Sequence, residues 1–157
     1  MEARLNMFDN PKAMSFIKRF NGATAAMRDS GLPEATQELV KLRASQINGC
    51  GMCTDMHYKD AVAAGEDPQR LNLVAAWREA TVFTEAERAA LELSEQATRI
   101  ADAAGGVSDD VWANAAKHYD DDQLMALVVV IAVINAYNRL NVVLQVPAGG
   151  YQPGQFA

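Results

Sequence analysis

Cys50-Gly51-Met52-Cys53-Thr54-Asp55-Met56-His57 carries both cysteines and one of the two histidines of this 157-residue chain. Two cysteines placed at random on a chain of this length would fall three apart in about one arrangement in eighty, so the spacing calls for a chemical reason. A Cys-x-x-Cys pair in a thioredoxin-like fold needs a strand before it and a central sheet around it, and neither pattern is present. Read as helix, positions 50, 53 and 57 are separated by three, four and seven residues and share one face. The motif is therefore a dithiol with a base beside it, at the start of a helix.

Working outward, helix signals recur and strand signals are scarce, which predicts an all-α chain of about seven to eight helices. Asn48-Gly49 breaks a preceding helix that Pro33 opens and that carries Leu39, Leu42 and Ile47. Upstream, Asn10 caps and Pro11 opens a first helix with Met14, Ile17 and Phe20 toward the core; it ends near Asn21-Gly22, and a short second helix covers Ala23 to Arg28. Downstream, the cysteine helix runs to about Ala64 with Gly65 as its left-handed cap, and Pro68 opens a short helix through Leu71 and Val74 to Trp77.

Thr84-Glu85-Ala86-Glu87 is a capping box ahead of a long helix to about Ala103. Gly105-Gly106 breaks that helix, and Ser108 caps one carrying Val111 and Trp112. Asp120-Asp121-Asp122 opens the last long helix, where acidic side chains suit the helix dipole. Val128 to Ile134 is rich in β-branched residues, yet its length and the lack of a partner strand favour a mostly buried helix. The chain reads as a single domain, 1–157, with a loosely ordered tail at 147–157.

Composition narrows the function. Half of the residues are apolar, enough to fill one core, and 14 basic against 20 acidic side chains give a net charge of −6. With no basic run, the chain offers nothing to a phosphate backbone or an anionic membrane face. The N-terminus lacks the apolar core of a signal peptide, and the longest apolar run, Leu124 to Ile134, is too short to span a bilayer. The expectation is a cytoplasmic protein that binds neither nucleic acid nor membrane. In that reducing compartment a vicinal cysteine pair points to catalysis, redox sensing or metal binding, because the loop such a disulfide closes is too small to stabilise much.

A thiol near its reference pKa of about 8.5 needs help to ionise at neutral pH. The first turn of the helix offers unpaired amides and the positive dipole end, and His57 can take or share a thiol proton. This dipole argument makes Cys50 the more exposed and more acidic thiol. Bridging the two cysteines requires little backbone movement. A zinc site would need a fourth ligand from His118 or a carboxylate, and a purely packing role would leave the adjacent base unexplained. Asn135, Asn138 and Asn141 recur at three-residue steps on the last helix and read as joints between helices or subunits rather than as substrate ligands.

The segment Glu38-Leu39-Val40-Lys41-Leu42-Arg43-Ala44-Ser45-Gln46-Ile47-Asn48-Gly49-Cys50-Gly51-Met52-Cys53-Thr54-Asp55-Met56-His57 resembles the core motif of the alkylhydroperoxidase D-like proteins of the carboxymuconolactone decarboxylase superfamily. The likeness continues through Lys59-Asp60-Ala61, Gly65, Arg70-Leu71, Trp77-Arg78-Glu79 and Phe83-Thr84 to Glu87-Arg88-Ala89-Ala90-Leu91. It returns at Ile134-Asn135-Ala136-Tyr137-Asn138-Arg139.

This resemblance implies an all-helical fold and a thiol peroxidase that reduces organic hydroperoxides or hydrogen peroxide through a Cys50–Cys53 dithiol/disulfide cycle, with no cofactor and no metal. Position by position, Glu38, Cys50, Cys53 and His57 match the family's glutamate, two cysteines and histidine. Glu38 enters only through the resemblance. In the family scheme Cys53 attacks the peroxide, deprotonated through His57 with Glu38 completing the relay, and Cys50 resolves; the dipole argument favours Cys50 as the acidic thiol. Met52 stands where some peroxidases of the family carry a second histidine. The implied partners are a lipoyl-type or thioredoxin-type dithiol reductant and further copies of the chain, as a trimer or hexamer. The alternatives are a lactone decarboxylase of the same superfamily and a non-catalytic redox sensor.

Overall fold

The computed structural model describes residues 2–156 and is all-α, with no strand among them. Seven α-helices follow in order: α1 (Pro11–Ala25), α2 (Glu34–Ile47), α3 (Gly51–Ala63), α4 (Pro68–Leu73), α5 (Glu85–Thr98), α6 (Asp109–Ala115) and α7 (Asp121–Leu144), with 3-10 turns at Arg28–Ser30 and Val74–Ala76. Their starts are chemically marked. Asn10 accepts from the amides of Lys12 and Ala13, and Thr84 with Glu87 and Asp120 with Gln123 form complete capping boxes. Gly49 and Gly65, just past the ends of α2 and α3, adopt positive φ, the conformation a helix stop needs.

α2 is the hub, packed against α3, α5 and α7. Its Val40 lies on one side with Leu93, Leu127 and Ile131, while Leu39 and Leu42 lie on the other with Leu71, Val74, Trp77 and Leu91. A third, smaller cluster joins Ala44 and Ile134 to Cys50 and Cys53, which puts the dithiol where α2, α3 and α7 meet. By length and composition alone α7 could cross a bilayer, with 24 residues and a mean hydropathy of 1.8. Here Leu124, Leu127, Ile131 and Ile134 fill the core instead, and its asparagines hydrogen-bond to α2, α3 and α5.

Several boundaries differ from expectation. α1 continues through Gly22 to Ala25, so the short helix expected over Ala23 to Arg28 is the end of α1 followed by a 3-10 turn. Met14 is exposed and Ile17 and Phe20 are only half-buried, because α1 packs mainly on α7 and leaves much of its apolar face uncovered. α5 stops at Thr98, short of Ala103.

The tail at 147–157, expected to be loosely ordered, is tied to α3 as far as the described residues run, Ala157 lying outside them. The Gly149 amide donates to Asp55, and the Lys59 ammonium donates to the carbonyls of Gly149 and Tyr151. Tyr151 is buried with its hydroxyl 2.9 Å from both oxygens of Asp60. These polar partners sit on α3, outside the tail, so the tail's own composition did not reveal them.

Candidate active site

Cys50 is the N-cap residue of α3, with extended backbone angles, and Cys53 sits in the first turn. Cys50 therefore stands at the mouth of the helix rather than on its face, whereas Cys53 and His57 share the buried face predicted for them. Both thiols are free, and neither reaches solvent: Cys50 is 1% exposed and Cys53 0%. The expectation that Cys50 is the more exposed thiol fails, because Ala44, Ile134, Met52 and Tyr137 close over the pair. Ala148 of the tail lies against Gly51, where a side-chain carbon would sit 3.1 Å from its Cβ.

The two thiols differ in acidity through each other rather than through the helix dipole. Hydrogen bonding from the Cys53 thiol is the main influence on Cys50; burial opposes it, while the Cys53 amide and the side chains of Asn141 and Asn138 assist, and the net effect lowers the Cys50 pKa to about 6. The same sharing, reinforced by burial and by repulsion from Cys50, holds the Cys53 proton more tightly than in a free thiol. The pair thus gives up one proton easily and keeps the second, with the charge resting on Cys50.

Glu38, on α2, reaches across to α3. Its Oε2 lies 2.8 Å from His57 Nδ1, and its Oε1 accepts from Lys41 Nζ at 2.7 Å. Burial works against its ionisation, but the hydrogen bond to His57 and the bond and charge of Lys41 outweigh it and hold the carboxyl at about 2. An ionised carboxylate has only acceptors, so Nδ1 must carry the proton, which leaves Nε2 as the nitrogen free for proton transfer. The structure thus brings Glu38 to His57 and Cys50 to Cys53, all on or against α3.

Sequence reasoning assigned Asn135, Asn138 and Asn141 to structure, and the first two fit. Asn48 Nδ2 donates to the side-chain oxygens of both, Asn135 donates to Thr98, and Asn138 donates to Ser45. Asn141 departs from that reading: its Nδ2 donates to Cys53 Sγ at 3.1 Å. The three-residue steps put all three on one face, but only the docking of α3 against the end of α7 turns the last toward sulfur. Among the described residues, no group of three or more His, Cys, Asp or Glu side chains could hold a metal ion.

The profile of the carboxymuconolactone decarboxylase family matches residues 11–96, which include every residue of the motif. The uncharacterized protein YdfG of Bacillus subtilis (strain 168) is 40% identical over 117 residues, 74% of this chain and 78% of its own. Among solved structures, the chain resembles ATU0492 from Agrobacterium tumefaciens, a protein of unknown function with a suggested role as the antioxidant defence protein AhpD. The TM-score is 0.85 at 34% identity, over 96% of this chain and 100% of that one. A likeness of fold alone extends to the debrominase Bmp8 in complex with 2,3,4-tribromopyrrole, with a TM-score of 0.78 at 16% identity over 92% and 74% of the two chains. Motif, helical architecture and relatives agree: the chain belongs to the carboxymuconolactone decarboxylase family and is an alkylhydroperoxidase D-like member of it.

Proposed function

We propose that this protein is a dithiol peroxidase. The observation that carries the reading is the vicinal pair that shares a proton, with Cys50 acidified to about 6, on the same helix as a histidine oriented by an ionised glutamate. A thiolate attacks the terminal oxygen of a hydroperoxide: the S–O bond forms, the O–O bond breaks, and the alkoxide leaves and is protonated to the alcohol. The sulfur is oxidised to a sulfenic acid as the peroxide is reduced. The second thiol then attacks that sulfur, forming the Cys50–Cys53 disulfide and releasing water. His57, one turn from Cys53, relays protons through Nε2 while Glu38 holds its ring.

The disulfide must be reduced from outside, and a lipoyl-type or thioredoxin-type dithiol suits it by simple exchange. No metal, flavin or other cofactor enters this scheme. A reducing cytoplasm would keep both thiols ready. Exposed Met14 and Phe16 on α1, with Met125, Val128, Val142 and Val143 on α7, supply apolar surface for a trimer or hexamer.

The test is consumption of an organic hydroperoxide by the purified protein with excess dihydrolipoamide, beside Cys50→Ser, Cys53→Ser and His57→Ala. Sustained turnover abolished by either serine and slowed by the alanine is expected. A single oxidation without turnover would instead indicate a redox sensor. Thiols that stay reduced would favour a non-redox enzyme such as a lactone decarboxylase. A brominated pyrrole belongs beside the hydroperoxide as a control substrate, since the fold is shared with a debrominase.

A further inference from the structure

Asn141 is 8% exposed, and its amide nitrogen is engaged with Cys53 Sγ. Its Oδ1 is, among the described residues, the buried side-chain oxygen without a hydrogen-bond partner in the protein. Its neighbours on the same face of α7 differ. Asn135 and Asn138 both accept from Asn48 through Oδ1 and donate through Nδ2, so neither leaves its oxygen unpartnered. Buried acceptors in folded proteins nearly always find a donor, and a single exception on the sulfur pair calls for a functional reason.

The orphan is an acceptor, which fixes what it can take. A carbonyl, an anion or an ether oxygen offers it nothing, whereas an O–H group does. Its companion Nδ2 already lies on one sulfur, so an O–H bound at Oδ1 stands beside the reacting pair. We propose that Asn141 Oδ1 accepts a hydrogen bond from the terminal O–H of the hydroperoxide, holding its terminal oxygen against the dithiol, and that Asn141 is the substrate-binding residue selecting ROO–H over peroxides without that hydrogen. This rests on the peroxidase reading above.

The step balances with the hydrogen bond kept throughout. As sulfur bonds to the terminal oxygen and the O–O bond breaks, the electron pair leaves on the alkoxide, which takes a proton relayed by His57. The hydrogen bound to Oδ1 stays on its oxygen and becomes the hydroxyl of the sulfenic acid. When the second thiol attacks, that hydroxyl departs with one further proton as water. Asn141 thus holds the peroxide before the transfer and the sulfenic acid after it, until the disulfide closes.

The experiment compares two single-turnover rate constants on the reduced protein: oxidation by tert-butyl hydroperoxide and alkylation by iodoacetamide, each taken at its plateau at high pH so that a changed thiol pKa cancels. A purely structural role would move both rates together. Asn141→Leu should lower the ratio of oxidation to alkylation about tenfold, the effect of one lost hydrogen bond to a reacting group, while Asn141→Ser, whose hydroxyl can donate and accept, stays within about threefold. Asn141→Ala carries the same comparison should the leucine variant fail to fold. A ratio unchanged in the leucine or alanine variant, or a serine variant as impaired as they are, overturns the assignment. Wild-type protein inert to the hydroperoxide would instead overturn the peroxidase reading itself.

Discussion

Replacing Glu38 with glutamine removes a charge that the fold has gone out of its way to keep. The side chain is 15% exposed, and its two oxygens are taken by His57 at 2.8 Å and Lys41 at 2.7 Å. Together these partners pull its pKa from an ordinary 4.5 to about 2 against the opposing effect of burial. A carboxyl depressed in the folded state contributes stability that is fully present above its unfolded value and is lost as pH falls through its folded value. The window is therefore about pH 4.5 down to about 2. At about 1.4 kcal/mol for each tenfold change in proton affinity, the contribution is about 3 kcal/mol. Glutamine does not titrate, so the stability gap between wild type and Glu38→Gln should be steady above about pH 5.5 and shrink by about 3 kcal/mol toward pH 2. Urea unfolding followed by circular dichroism, with reductant present and protein concentration fixed, reads that gap at about pH 6, 4.5 and 3. A gap constant to within about 0.5 kcal/mol over that range would refute the reasoning, because the Glu38–His57–Lys41 contacts would then contribute no net charge stabilisation.

Three further outcomes are expected. Alkylation of the pair should rise with pH through a midpoint near 6, the value set for Cys50, whereas a midpoint near the ordinary thiol value of about 8.5 would mean that Cys53 does not stabilise a thiolate. With the resting charge on Cys50, Cys53→Ser should retain one rapid oxidation to a trapped sulfenic acid that Cys50→Ser loses; the reverse pattern would show that the charge passes to Cys53 through His57 before attack. Asn138→Ala, which removes one hydrogen bond each from half-buried Asn48 and buried Ser45, should cost about 2 kcal/mol in chemical unfolding, and a cost below about 0.5 kcal/mol would mean that this network is not holding α2 to α7.

Much of the fold was legible because its punctuation is local. Asn10-Pro11, Thr84 to Glu87, Ser108 and Asp120 each carry their own capping chemistry, and the structure uses all of them. What could not be read depends on contacts between distant segments. The exposure of Met14 follows from α1 packing mainly on α7, and the fixed tail follows from Asp55, Lys59 and Asp60, ninety or so residues earlier. The same division holds at the site. Cys50, Cys53 and His57 announce themselves by spacing. Glu38 is an acidic residue on a preceding helix, indistinguishable by composition from a solvated one, and only the family motif raised it. Asn141 had no signal beyond its three-residue step from Asn138; its contact with Cys53 exists only once α3 and α7 are docked.

The most direct test of the dithiol cycle is the intact mass of the reduced protein, recorded after one equivalent of tert-butyl hydroperoxide and again after dihydrolipoamide, with the released alcohol counted. The account predicts loss of two hydrogen atoms per chain, a peptide map placing the new bond between Cys50 and Cys53, one tert-butanol per disulfide, and full return of the mass on reduction. A mass that does not change, or one that gains oxygen and is not restored by the dithiol, would contradict it.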